Sequence, residues 1–196
     1  DRGQQHEGHR DDGFHAESLR GRPASRGSSE NGPMNERQQP VLDCLQTLGI
    51  AFDRHEHPPV ATVAEAEIHW AGIDATHCKN LFLRNQKGDR HYLVVVPHSK
   101  RVDLRLLAEQ IGDGKLSFGS PERLMKHLGL APGSVSPFGL LNDPGRHVRV
   151  FLDADLKGAA RLSFHPNDNT ATLTLSGDGF ERFLAHVGHT VRLIAV

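Results

Sequence analysis

Apolar and polar positions alternate along this chain at changing periods, and the changes mark out its elements. From Pro40, the residues Val41, Leu42, Leu45 and Leu48 recur at helical spacing, and Gly49 stands where such a helix would stop. A short strand over 50–54 is expected next. After the loop His55-Glu56-His57-Pro58-Pro59, Thr62 and Glu65 stand three apart as in a capping box. They predict a helix to about Trp70, ahead of Gly72. Two extended runs, 80–84 and 91–96, flank Asn85-Gln86-Lys87-Gly88-Asp89, which is a hairpin pattern. Asp103 can cap a helix through Ile111, and Ser120-Pro121 supplies a cap and a first-turn proline ahead of Leu124, Met125 and Leu128. Further strands are predicted over 147–152, 161–164 and 171–175, then a helix over 179–187 and a last strand over 192–196. Helices and hairpins mix without a regular strand-helix alternation or an internal repeat, so the fold class is α+β. Residues 1–33 break the pattern. Gly, Ser, Arg, Glu and His dominate there, and Phe14 and Leu19 are the only larger apolar side chains. Such a segment cannot bury enough surface to offset its ordering entropy, and it is expected to be a disordered leader or extension before one domain over 34–196.

Composition narrows the classes. A chain of 196 residues, 37% hydrophobic and 24% charged, suits one soluble globular domain. No apolar run approaches the ~20 residues of a membrane span. The cysteines Cys44 and Cys78 do not make a disulfide framework, and the first residues do not read as a secretory signal, so a cytoplasmic protein is expected. The net charge of -1 hides a division along the chain. Residues 41–78 carry Asp43, Asp53, Glu56, Glu65, Glu67 and Asp74 against Arg54 alone. Residues 79–105 carry Lys79, Arg84, Lys87, Arg90, Lys100, Arg101 and Arg105 against Asp89 and Asp103. Either the basic block faces a polyanion or the two blocks pair with each other.

Several familiar chemistries lack their residues. The 14 histidines invite a metal, but His55-Glu56-His57 and His77-Cys78 complete no recognised ligand set, and no metal site is expected. Cys78 lies between His77 and Lys79, yet neighbours on an extended segment point to opposite sides, which favours a small buried thiol over a nucleophile. There is no serine-nucleophile elbow and no phosphate-cradling glycine loop. What remains is Lys79 at the mouth of a strand whose Leu81, Phe82 and Leu83 look buried, and the loop Gly133-Ser134-Val135-Ser136-Pro137. That loop joins a flexible glycine to a rigid proline, a layout able to aim backbone N–H groups inward. His165, between Phe164 and Pro166, is either a pocket wall or a strand end. Spacing alone leaves the function open.

The stretch His77-Cys78-Lys79-Asn80-Leu81-Phe82-Leu83, with Lys115-Leu116-Ser117-Phe118, the 133–137 loop and Phe164-His165-Pro166, resembles the YbaK and prolyl-tRNA editing domain family. The nearest likeness is to its free-standing alanyl-tRNA(Pro) deacylases, and it covers about residues 38–196. The resemblance implies a single YbaK-like α+β domain, a mixed, mostly antiparallel sheet surrounded by helices, that hydrolyses the ester of a small amino acid on proline tRNA without a metal or organic cofactor. It implies Lys79 and Gly133 as catalytic. Asn80, Ser134, Val135, Ser136, Pro137 and His165 are implied to bind the substrate. Arg84, Lys100, Arg101, Arg105 and Lys115 are the expected tRNA surface, with Lys115 standing where relatives carry arginine. The implied partners are mischarged proline tRNA, through its acceptor stem and terminal adenosine, and prolyl-tRNA synthetase, with neither membrane nor DNA. Cysteine or serine in place of alanine, and a non-catalytic tRNA-binding module, are the alternatives.

Overall fold

The computed structural model describes residues 36–60 and 63–196. The expected leader over 1–33 lies outside the described residues, as do Thr62 and the Glu65 side chain of the expected capping box. In chain order the elements are α1 (Gln39–Thr47), β1 (Phe52–Glu56), α2 (Val63–Trp70), β2 (Thr76–Asn85), β3 (His91–Pro97), α3 (Leu104–Ile111), β4 (Leu116–Phe118) and α4 (Pro121–Leu128). A 3-10 turn (Pro137–Asn142), β5 (Val148–Asp153), a second short 3-10 turn (Ala154–Leu156), β6 (Arg161–Phe164), β7 (Ala171–Ser176), α5 (Gly177–Val187) and β8 (Val191–Ile194) complete the chain.

Local signals set the helix ends. The Asp103 carboxylate accepts from the N–H groups of Arg105 and Leu106, and the Ser120 hydroxyl accepts from Arg123, as the capping patterns require. Gly49, at φ 61°, closes α1: its N–H donates to Gln46 and the next N–H, of Ile50, reaches back to Leu45. This cap consumes Ile50, which is why the first strand starts at Phe52 and not at the expected residue 50. β4 was not anticipated, because three residues are too few to show a period.

The strands form one mixed sheet in the order β1-β7-β6-β2-β3-β5-β8, with β4 also on β2. Pairs β1/β7, β7/β6, β2/β3 and β2/β4 are antiparallel, while β6/β2, β3/β5 and β5/β8 are parallel. The architecture is thus the expected mixed α+β sheet with helices around it. β3 is buried on both sides, as a central strand covered on two faces should be. Leu93 and Val95 join the larger core with α1, α4 and α5; Tyr92, Val94 and Val96 join a smaller one under α3. Among the described residues no helix is long and apolar enough to cross a membrane.

β2 positions the site. One of its edges pairs with β3 along most of its length. The other edge pairs with β6 only at Thr76 and His77, and with β4 only from Leu83 to Asn85. Between these two ladders Cys78–Leu81 meet no strand on that edge among the described residues, and Asn80 bonds there to the 133–137 loop.

Candidate active site

Two adjacent residues of β2 leave the sheet in opposite directions. Cys78 and Phe82 belong to the larger core while Leu81 and Leu83 pack toward the smaller one, so alternation sends Asn80 to the first face and Lys79 to the second. Asn80 Nδ2 donates to the carbonyl of Val135 at 3.0 Å and ties the strand to the loop. Its Oδ1 is buried without a partner among the described residues. The Lys79 ammonium instead donates to the carbonyl of Lys100, in the turn after β3, and burial holds its pKa below the ordinary lysine value. The side chain that grips the loop is therefore Asn80.

The loop is anchored at both ends. Gly133 sits at φ 86°, a left-handed conformation that disfavours any Cβ, and a Cβ there would stand 3.4 Å from Asn169 Nδ2. Asn169 in turn donates to the carbonyl of Val60 at 2.9 Å. At the other end Pro137 is buried and begins the 3-10 turn, which Ser136 caps by accepting from the N–H of Phe138. The Phe138 ring packs edge-on against Phe164 and Phe183 in the core. The Ser134 N–H is used by the carbonyl of Ala131. That leaves the N–H groups of Gly133, Val135 and Ser136 without an acceptor among the described residues. Because a trans peptide holds C=O and the following N–H in opposite directions, the Asn80 bond to Val135 also fixes where the Ser136 N–H points.

Histidines line the neighbouring strand ends. His165 Nδ1 donates to the carbonyl of Ala171 at 2.8 Å, which leaves Nε2 of the neutral ring as an acceptor. Burial lowers its pKa and so favours that neutral form. The His57 ring is tilted against it at 5.6 Å and bonds to the Thr172 hydroxyl at 3.0 Å and the Pro58 carbonyl at 2.9 Å. Trp70 of α2 stacks on His77 at 4.4 Å, and His77 bonds to the Ser163 hydroxyl. Cys78 is no nucleophile: burial pushes its thiol up to about 12, so it stays protonated at neutral pH.

The five expected RNA-facing cations separate into two groups. Lys100 bonds both carboxylate oxygens of Asp153 and also pairs with Asp155, which spends its charge, and Arg84 folds back onto the carbonyls of Asn85 and Gln86. Arg101, Arg105 and Lys115 are exposed, and Arg105 and Lys115 line one cleft of about 480 Å³ beside α3. The acidic and basic blocks do not neutralise one another. Among the described residues the one close contact between them is His98 Nε2 with Glu67 at 3.7 Å, while Asp53 pairs with Arg161 and Arg90 with Asp113.

Asn169 and His57 were missed as site neighbours. Asn167-Asp168-Asn169-Thr170 shows only turn composition, and His57 drew attention as a metal ligand alone.

Fold and site together define an α+β domain in which a loop with three amides unbonded among the described residues lies beside a strand bearing lysine and asparagine. Comparison with known proteins makes that class specific. The profile of the aminoacyl-tRNA editing domain matches residues 57–183. The prolyl-tRNA editing protein ProX of Acetoanaerobium sticklandii is 43% identical over 160 residues, covering 81% of this chain and 97% of that protein. The prolyl-tRNA synthetase associated domain-containing protein 1 of Bos taurus is 35% identical over 148 residues, 74% of this chain and 86% of that one. A crystal structure described as a candidate trans-editing enzyme for prolyl tRNA synthetase superposes with a TM-score of 0.63 at 25% identity, over 83% of this chain and 99% of that one. The chain belongs to the aminoacyl-tRNA editing domain family.

Proposed function

We propose that the protein is a trans-editing deacylase that hydrolyses the ester of alanine wrongly attached to proline tRNA. The observation that carries this reading is the 133–137 loop, in which three amides lack acceptors among the described residues and Asn80 locks the peptide plane between two of them. An aminoacyl ester is already activated, so hydrolysis needs a placed water and a home for the oxyanion. Water adds to the ester carbon, the carbonyl oxygen becomes anionic against the free N–H groups, and the ester C–O bond then breaks toward the ribose oxygen, which takes up a proton. One comparable N–H donor is worth ~2.7–4 kcal/mol of barrier. Lys79, on the other face of β2 from Asn80, holds the terminal adenosine's phosphate once it exchanges the Lys100 carbonyl for that anion. Asn80 Oδ1 accepts from the substrate α-ammonium, and the neutral His165 ring forms a wall with an acceptor on it.

The biological need follows from energetics. A synthetase pocket built for proline rejects alanine weakly, because one methylene is worth only ~1–3 kcal/mol, and a smaller second sieve corrects the error. The acceptor stem must be read as well, since alanine on its own tRNA is correct. Arg101, Arg105 and Lys115 are the surface for it, and the reaction belongs in the cytoplasm, near prolyl-tRNA synthetase. The test is a panel of proline tRNA charged with Ala, Cys, Ser or Pro, alongside Ala on alanine tRNA. Rapid loss of Ala from proline tRNA alone is expected. Preference for Cys or Ser would reassign the substrate, and binding without cleavage of any ester would make the chain a tRNA-binding module.

A further inference from the structure

A second polar cleft, of about 320 Å³, opens where β5 and β8 run in parallel at the edge of the sheet. Arg146, Arg149, Arg192, His189, Thr190 and Phe151 are among its lining residues, and none of them belongs to the 133–137 site. The three arginines are exposed, and no carboxylate lies within 4 Å of any of them among the described residues. Asp113, the acid whose field reaches Arg149, is already held by the Tyr92 hydroxyl and by Arg90. Two of the guanidiniums are placed by packing. That of Arg192 lies 5.4 Å from the centre of the Phe151 ring, and that of Arg146 lies against Gly188, where a Cβ would stand 2.7 Å from its Nη2.

His189 supplies an independent sign of a ligand. Its side chain is 1% exposed, and Nε2 lies 3.2 Å from Asp143 Oδ2. A carboxylate of this kind only accepts, so Nε2 carries a proton. Nδ1 is buried and has no partner among the described residues. Asp143 is fully occupied, since it also takes the N–H groups of His147 and Val148 and the His147 ring. His189 thus lines the cleft with one ring nitrogen unsatisfied, and the three guanidiniums beside it, without a carboxylate among the described residues, call for an anion rich in oxygen. A phosphoryl group fits these groups: its oxygens accept from the guanidinium forks and from the Thr190 hydroxyl.

We propose that this cleft is a phosphate-binding site, separate from the deacylation site, that takes one phosphoryl group from an RNA backbone or from free phosphate. The full-length chain is titrated with inorganic phosphate and, in parallel, with an unacylated RNA hairpin, while the His189 ring nitrogens are followed by long-range ¹H–¹⁵N NMR. A saturable shift at Nδ1 is expected, and Arg146→Ala with Arg192→Ala should weaken it by about tenfold or more while circular dichroism stays unchanged. If that double variant does not fold, Arg149→Glu on the exposed face of β5 takes its place. Shifts with both probes, phosphate competing with the hairpin, identify an RNA phosphate as the source; a shift with phosphate alone identifies the free ion. No shift with either probe, or equal affinity in the arginine variants, overturns the proposal. No aminoacyl ester enters the experiment, so its result does not depend on the editing reading.

Discussion

The two ends of β2 share one strand and have opposite characters. At its C-terminal end β4 and β3 close both edges, Phe82 and Leu83 sink into the two cores, and Asn85 accepts from the N–H groups of Gly88, Asp89 and Arg90 to shape the hairpin. Gly119 donates its N–H to Phe82 and lies so close to the ring that a Cβ would stand 2.4 Å from it. At the other end one edge meets no strand among the described residues, and Lys79 and Asn80 carry polar groups off the two faces, to the Lys100 and Val135 carbonyls. A strand edge left unpaired inside a fold is a place for polar contacts of another kind, and here the Asn80 side chain donates to the Val135 carbonyl of the loop. The contrast separates residues that hold the protein together from residues proposed above to hold a substrate.

The largest effect expected lies at the closed end. Phe82→Ala removes a ring that is 4% exposed and should lower the unfolding free energy by ~3–5 kcal/mol in a denaturant titration. Turnover per folded molecule should hardly change. A selective loss of turnover in the folded fraction would mean that the two ends are not separable.

At the open end the order reverses. Lys79→Ala should reduce deacylation by ~10²–10³-fold, the scale of one lost charged or oxyanion contact, with little change in melting temperature. Near-normal turnover would remove Lys79 from the chemistry and leave its bond to Lys100 as its whole role. Asn80→Ala is expected to cost less, ~1–3 kcal/mol, because it strands the Val135 carbonyl and frees the loop without deleting an N–H donor. Asn80→Asp sharpens this further. It keeps the shape but turns the donor into an acceptor facing another acceptor, so it should be no better than alanine, and a fully active Asp variant would break the assignment.

Much of this contrast was legible before any coordinates, and the division follows the range of the forces. Caps at Gly49, Asp103 and Ser120 act over three or four residues, so their helices are found where the pattern predicts them. The hairpin turn at Asn85 is equally local. By contrast, Lys100 reads as a free cation until Asp153 and Asp155 arrive from more than fifty residues away, and the three arginines of the β5/β8 cleft are scattered over 146–192. The motif around Lys79 points to a stretch of β2 that the structure brings beside the 133–137 loop. It could not tell which of two neighbours meets the loop, because that depends on which face the strand turns toward α4 and α5.

The smallest effect at neutral pH concerns His91, opposite Arg84 in the closed hairpin. Its ring stacks on Phe82 at 5.7 Å, lies 4.0 Å from the His127 ring, and its Nε2 is 3.0 Å from Arg123 Nη1. A guanidinium can only donate, so Nε2 must be an acceptor and the ring must be neutral. Burial first, then the charges of His127, Arg123, Lys126 and Arg84, bring its pKa down to about 4. In the unfolded chain the same ring titrates at about 6.5. Between these values the unfolded chain binds the extra proton, so stability is intact above about 6.5 and falls as the pH drops toward about 4. His91→Gln, which keeps an acceptor for Arg123 and cannot titrate, should flatten the slope of melting temperature against pH over that range. An unchanged slope would move the acid sensitivity to the open end, where burial also depresses His57, His77 and His165.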